Sequence, residues 1–355
     1  MEVVDARVAL APAISLICAG LVFAGGEHTF WRRFWSLTAA VAKLVIVMSM
    51  LPGALRGVVY VFDLVQFTPG VGLAFRADAL GMFFSVVSST LWLFTTIYAI
   101  GYMEREHARM RFFGFFALCV STTVGVAFAE NLLTMFLFYE TLTICTYPLV
   151  IHEETPEAMK AGRKYLAYTL TGGAFVLLGS VWTYQLAGTM TLSQPGILSA
   201  DVGRSTLAWL FVCLIAGFGV KAAIMPLHGW LPSAMVAPTP VSALLHAVAV
   251  VKVGAFGVLR VIYNVFGVEL LREMGFCDYL AALAAFTILA GSVIAIFQDN
   301  FKRRLAFSTV SQLSYIVLGA SLLTPFAATA AIAHIANQAF AKITMFFVAG
   351  SIQRA

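Results

Sequence analysis

Apolar runs of roughly 18–25 residues, the length a helix needs to cross a bilayer, recur from one end of the chain to the other. Eleven can be marked, near residues 8–25, 35–52, 79–103, 111–129, 131–151, 163–187, 206–225, 241–262, 279–297, 304–323 and 327–350. A soluble protein made of such segments would need helices hydrophobic on every side and almost no polar surface. Charge agrees, since 11% of the 355 residues are charged and 61% are hydrophobic, whereas about a quarter are charged in soluble domains. The chain therefore reads as an all-α polytopic membrane protein, one continuous bundle. Residues 56–77 depart from the pattern: Val59 and Val61 alternate with Tyr60 and Phe62, and Pro69 and Gly70 follow. A hairpin outside the bilayer is expected there.

Loop charge predicts orientation. Arg32, Arg33, Arg105, Arg109, Arg111, Lys160, Arg163, Lys164, Lys302, Arg303, Arg304 and Arg354 follow odd-numbered spans. Only Arg7, Arg56, Arg76, Arg204, Arg260 and Arg272 fall on the other side. The positive-inside rule places the N-terminus outside and the EREHARMR loop (104–111) in the cytoplasm of a cell membrane. MEVVDARVAL is acidic ahead of its apolar run, unlike a cleaved signal, so the first span is expected to be retained. The widely spaced Cys18, Cys119, Cys145, Cys213 and Cys277 suggest no zinc or iron–sulfur site. With no Walker motif or Gly-rich nucleotide fingerprint either, no cofactor, metal or nucleic-acid partner is expected.

Four basic residues, Lys43, Lys221, Lys252 and Lys342, and one acid, Glu140, fall inside apolar spans. Ionisable groups at bilayer depth are costly and mark function by default. Glu140 shares a helical face with Thr143 and Tyr147. Lys221 opens KAAIMPLHGWLP, after which Pro226, Pro232, Pro238 and Pro240 interrupt the helix. Broken backbone at membrane depth is tolerated inside protein or beside water, which puts Lys221 at a break facing a hydrated interior. His246 and Lys252 stand six residues apart, roughly 120° around a helix, so different neighbours are expected for them. His334, Gln338 and Lys342 form an i, i+4, i+8 stripe, and Ser308, Ser311, Gln312 and Tyr315 another that could equally be packing contacts. Nothing obvious shares a face with Lys43. His228 is expected past the break, at the interface. The acid–base series Glu140, Lys221, His246 with Lys252, then His334 and Lys342, suits proton relay driven from outside the chain.

Four stretches carry a resemblance: FRADALGMFFSVVSS (75–89), FYETLTICTYPLVIH (138–152), GVKAAIMPLHGWLPSAMVAPTPVSALLHAVAVVKVGAFGVLR (219–260) and HIANQAFAKITMFFVAGSI (334–352). From about residue 75 onward the chain resembles the antiporter-like subunits of respiratory complex I, of multisubunit Na⁺/H⁺ antiporters and of membrane-bound hydrogenases. The resemblance implies two inverted five-helix repeats, each with a broken helix, around a central polar axis. Matched by motif, Glu140 takes the family's fifth-helix glutamate, Lys221 the lysine before the first break, and Lys252 with His246 the eighth-helix basic positions. His334 and Lys342 take the row toward the second half-channel, where Gln338 replaces a second histidine. The expected organisation is N-terminal helices over 1–110, a first repeat over 111–262 and an incomplete second repeat over 279–355. A faint internal match sets ETLTICTY (140–147) against STVSQLSY (308–315).

The leading expectation is a subunit that translocates H⁺, or exchanges Na⁺ for H⁺, inside a redox-driven or antiporter complex. Its partners would be other membrane subunits, the lipid bilayer and the transported cations. A non-conducting truncated or split structural subunit is the alternative, and a self-contained solute transporter a third reading.

Overall fold

The computed structural model describes residues 1–68 and 71–354; Pro69 and Gly70 of the expected hairpin, and Ala355, where the expected second repeat stops, lie outside the described residues. Seven long helices come first: α1 (Arg7–Ala24), α2 (Thr29–Ala54), α3 (Ala79–Tyr102), α4 (Arg109–Ala127), α5 (Leu132–Val150), α6 (Pro156–Ala187) and α7 (Arg204–Lys221). After a break containing the short helix Trp230–Ser233, the chain continues through Thr239–Phe266, Phe276–Ile296, Phe301–Ser321 and Pro325–Arg354. Each of the eleven expected spans thus coincides with one long helix. Among the described residues, ten are long and apolar enough to cross a membrane. The remaining one, Phe301–Ser321, has 21 residues but opens on Lys302, Arg303 and Arg304 and spends Ser308 and Ser311 on neighbouring helices. The chain is an integral multi-pass membrane protein.

Helix starts follow from local chemistry. Asp78, Asn131, Thr155 and Asn300 each accept a hydrogen bond from a backbone N–H in the first turn that follows, satisfying donors that have no partner within the helix. Gly188 closes α6 at φ 68°, the left-handed region a glycine enters without steric cost.

The strands β1 (Glu2–Val4), β2 (Val59–Thr68) and β3 (Val71–Ala77) form a sheet in the order β1-β2-β3. β2 pairs antiparallel to β3, and β1 adds to the other edge of β2 in parallel. Three residues of β1 are too few for a periodic signal, so the strand is invisible to sequence periodicity.

Helix 239–266 is the buried axis of the bundle, whereas α1, α2 and helix 276–296 keep most of their surface outward. Leu16, Ile17, Val45, Ile144, Leu289 and Val293 are exposed, as suits side chains facing lipid tails. Because lipid is as apolar as leucine, helix association there depends on close packing through small residues. Gly254 of the axis is such a site: a Cβ on it would run into the backbone at Lys221 and Ala222, where α7 ends. Backbone cannot yield as a flexible side chain does, so Gly254→Val is expected to destabilise by about 1–3 kcal/mol or more. A lowered thermal midpoint of the detergent-solubilised chain checks it, and an unchanged midpoint would contradict the contact.

Candidate functional site

Proline interrupts α7, and the orphaned backbone groups must be satisfied elsewhere. The indole Nε1–H of Trp230 donates to the Val220 carbonyl at 2.8 Å. Thr287 Oγ1, from helix 276–296, accepts from the Met225 N–H at 3.3 Å. Lys302 Nζ reaches the Ala237 carbonyl at 2.6 Å. The break is therefore held by three side chains outside the proline pattern. Lys302 stands half-buried in the first turn of helix 301–321, and its ammonium helps hold the break.

Lys221, the last residue of α7, is 0% exposed. Its ammonium lies 3.4 Å from the centre of the Tyr139 ring and donates to the Tyr139 carbonyl. Tyr139 is itself fixed, because its hydroxyl donates to the Gly217 carbonyl at 2.9 Å. Glu140 is the next residue on α5, half-buried, and its Oε1 is buried without a hydrogen-bond partner. Gly173 of α6 makes room for that carboxyl, since a Cβ there would overlap it. The lysine thus sits against the backbone of the glutamate's helix.

Of the break prolines, Pro226 is exposed beside an apolar groove of about 500 Å³ that also borders Phe211, Ile224 and Phe276. Pro232 is half-buried and Pro238 buried. Pro238 borders a separate cavity of about 380 Å³ with Tyr102, Glu106, Glu153 and Lys302 on its walls. His228 lies in the break, half-buried, against Phe307 at 6.0 Å between ring centres.

His246 and Lys252 meet the same helix, 325–354, at points eleven residues apart. The His246 ring lies 4.9 Å from that of Phe346, and Lys252 Nζ donates to the Ile335 carbonyl at 3.0 Å. The chain runs as π turns over Leu244–Val248, and the shared neighbour departs from the separate neighbours expected at a spacing of roughly 120°. Farther along, Lys342 Nζ donates to Ser308 Oγ at 2.6 Å. The His334 ring lies 5.7 Å from Tyr315, and Gln338 is buried between these levels. Ser308 and Tyr315 therefore turn toward helix 325–354, while Ser311 pairs with Ser292 at 2.9 Å.

Lys43 and Arg260 are buried cations that stand apart from this row. Lys43 is fully buried with its ammonium 4.9 Å from the Trp92 ring, the partner on α3 that spacing within α2 could not reveal. Arg260, counted above as a loop charge, is 2% exposed and grips Asp78 with two bonds, 2.6 and 2.8 Å. The segments joined are 182 residues apart, so no local pattern signals the pair.

The helical bundle, its proline break and its buried lysines define a class, the antiporter-like membrane subunits. Residues 129–355 match the family described as NADH:quinone oxidoreductase/Mrp antiporter, TM. Residues 68–113 match the N-terminus of NADH-ubiquinone oxidoreductase (complex I) chain 5. The chain belongs to this family. It is 33% identical over 294 residues to a K(+)/H(+) antiporter protein of Rhizobium meliloti (strain 1021), across 81% of this chain and 29% of that protein. It is 32% identical over 287 residues to NAD(P)H-quinone oxidoreductase chain 5 of Picosynechococcus sp., across 79% and 42%. Among solved structures, the Mrp complex from Dietzia sp. DQ12-45-1b superposes with a TM-score of 0.87 at 27% identity, over 98% of this chain and 38% of that one. The archaeal membrane-bound sulfane sulfur reductase shares the fold, with a TM-score of 0.87 at 23% identity over 98% and 71%. The chain spans less than half the length of these two curated relatives.

Proposed function

We propose that this chain translocates protons, or exchanges Na⁺ for H⁺, as one membrane component of a larger complex whose other subunits supply the driving force. The observation that carries the reading is Lys221: a fully buried lysine at a helix break, touching the helix of a half-buried glutamate. Membrane protein interiors hold such groups where charge or protons must pass. Glu140 and Lys221 would switch together, Lys252 with His246 would relay at the axis, and Lys342 with His334 would lead onward. The family relationship supports this assignment, as do the relatives whose names specify K⁺/H⁺ antiport and quinone reduction. The same reading groups the helices as an N-terminal set (1–110), a first repeat (111–262) and part of a second (279–355), with the N-terminus outside a cell membrane.

One observation favours the alternative, a non-conducting structural subunit. Lys221 and Lys252 both donate to backbone carbonyls, a role any fixed donor can fill. Lys252→Met in the assembled complex separates the two. Methionine keeps the length of the side chain but cannot carry a proton, so cation movement in vesicles should fall at least about tenfold if transfer sets the rate. Partner subunits should still co-purify. Undiminished movement would leave the structural reading standing.

A further inference from the structure

Glu106, His107 and Glu153 have no part in the row of buried groups, yet one ligand atom from each lies within 4.8 Å of the others. Glu106 and His107 come from the linker between α3 and α4, and Glu153 from the linker between α5 and α6. We propose that these three side chains form a binding site for a borderline divalent cation of the Zn²⁺ class, placed beside the polar cavity under the helix break.

The donor set decides the class. One imidazole nitrogen and two carboxylates suit Zn²⁺ or its first-row neighbours, whereas an all-oxygen set would suit Mg²⁺ or Ca²⁺. His107 is already oriented for the task. Its Nε2 lies 2.9 Å from the His152 carbonyl; a carbonyl only accepts, so Nε2 carries the proton and Nδ1 keeps the lone pair. A ligating histidine anchored through its other nitrogen to a backbone carbonyl is the usual outer support of a metal site. A second observation also points to a ligand. His152 is 0% exposed, stacks on His107 at 4.7 Å between ring centres, and has no hydrogen-bond partner at either ring nitrogen. Buried imidazoles rarely stay unpartnered, and a cation held at His107 would give this stacked ring a role as its backing. The three ligands leave a fourth position for water.

Opposing charges are present and make the test sharper. Arg354 pairs with Glu106, and Lys302 shares the cavity wall with Glu106 and Glu153. A metal must draw Glu106 away from Arg354. Cysteine spacing gives no hint of this site, because its ligands stand on two short linkers brought together only by the fold.

The experiment is a Co²⁺ titration of the untagged chain in detergent, followed through the visible absorption of the bound ion and then displaced by Zn²⁺. The expected result is one saturable Co²⁺ per chain. His107→Gln and Glu153→Gln should each weaken binding about tenfold or more, with the circular-dichroism spectrum unchanged. Arg354→Ala should tighten it by freeing Glu106. No saturable band in the native chain, a band that survives both glutamine substitutions, or weaker binding in Arg354→Ala would each overturn the proposal. The result does not depend on whether the chain moves cations.

Discussion

Lys221→Ala is expected to abolish coupled cation movement in vesicles carrying the assembled complex, while the bundle still folds. The two effects separate because of what the ammonium touches. Its hydrogen bond goes to a carbonyl inside α5 and its other contact is the Tyr139 ring; Tyr139 stays anchored by its own bond to Gly217. Losing the lysine therefore removes a neighbour of a helix that is otherwise held. It also removes the buried cation nearest along the chain to the break. Lys221→Arg refines the result: arginine keeps the charge but does not release a proton in proteins. If proton transfer is the function, arginine should be nearly as inactive as alanine. If a fixed charge is all that is needed, arginine should restore movement. Glu140→Gln should match Lys221→Ala, since removing either partner uncouples the pair. Full activity in both Glu140→Gln and Lys221→Ala would eliminate the switching assignment.

The bundle was legible in the sequence because bilayer crossing imposes a length and an apolar composition that few other structures require. The break was legible because proline removes a donor wherever it stands. What holds the break was not. Trp230 reads as one more apolar residue, Thr287 as one hydroxyl in a span and Lys302 as a loop charge, until the fold carries each to an orphaned backbone group. The polar row was legible as a set of residues, but its contacts were not. An ideal α-helix sets His246 and Lys252 on different sides, yet both meet helix 325–354, at Phe346 and Ile335, because that long helix runs alongside the axis at both levels. Orientation rules also carry a hidden assumption, that an arginine beside a span lies in a loop. Arg260 shows how the fold can take such a residue inside.

Breaking the pair between Asp78 and Arg260 is expected to cost up to about 3–5 kcal/mol, the range for stripping one partner from a buried ion pair, because the guanidinium is buried although the Asp78 carboxylate is 22% exposed. The guanidinium makes two bonds to the carboxylate, lies 4.9 Å from the Phe256 ring and donates to Asn264 at 3.3 Å. Asn264 in turn donates to the Leu192 carbonyl at 2.9 Å. The network thus ties the start of α3 and the loop after α6 to the far end of the central helix. Asp78 also caps α3 by accepting from the Gly81 N–H at 2.8 Å. Asp78→Asn keeps that acceptor while losing the charge, so it isolates the ion pair; Asp78→Ala loses both and should cost about 0.5–2 kcal/mol more. Arg260→Met should destabilise through the unpaired Asp78, and the double variant Asp78→Asn with Arg260→Met should lose less than the two singles added together. Acid supplies an independent check. Burial raises the Asp78 carboxyl, but the Arg260 guanidinium outweighs it and holds the group below its ordinary value of 3.8. A carboxylate with a depressed folded pKa stabilises fully above its unfolded pKa, and that contribution disappears as pH falls through the folded value. The native chain should therefore lose thermal stability more steeply than Asp78→Asn as pH drops below about 4. Parallel curves for the two would mean that the pair contributes no net stability, and the central helix must then be held by packing alone.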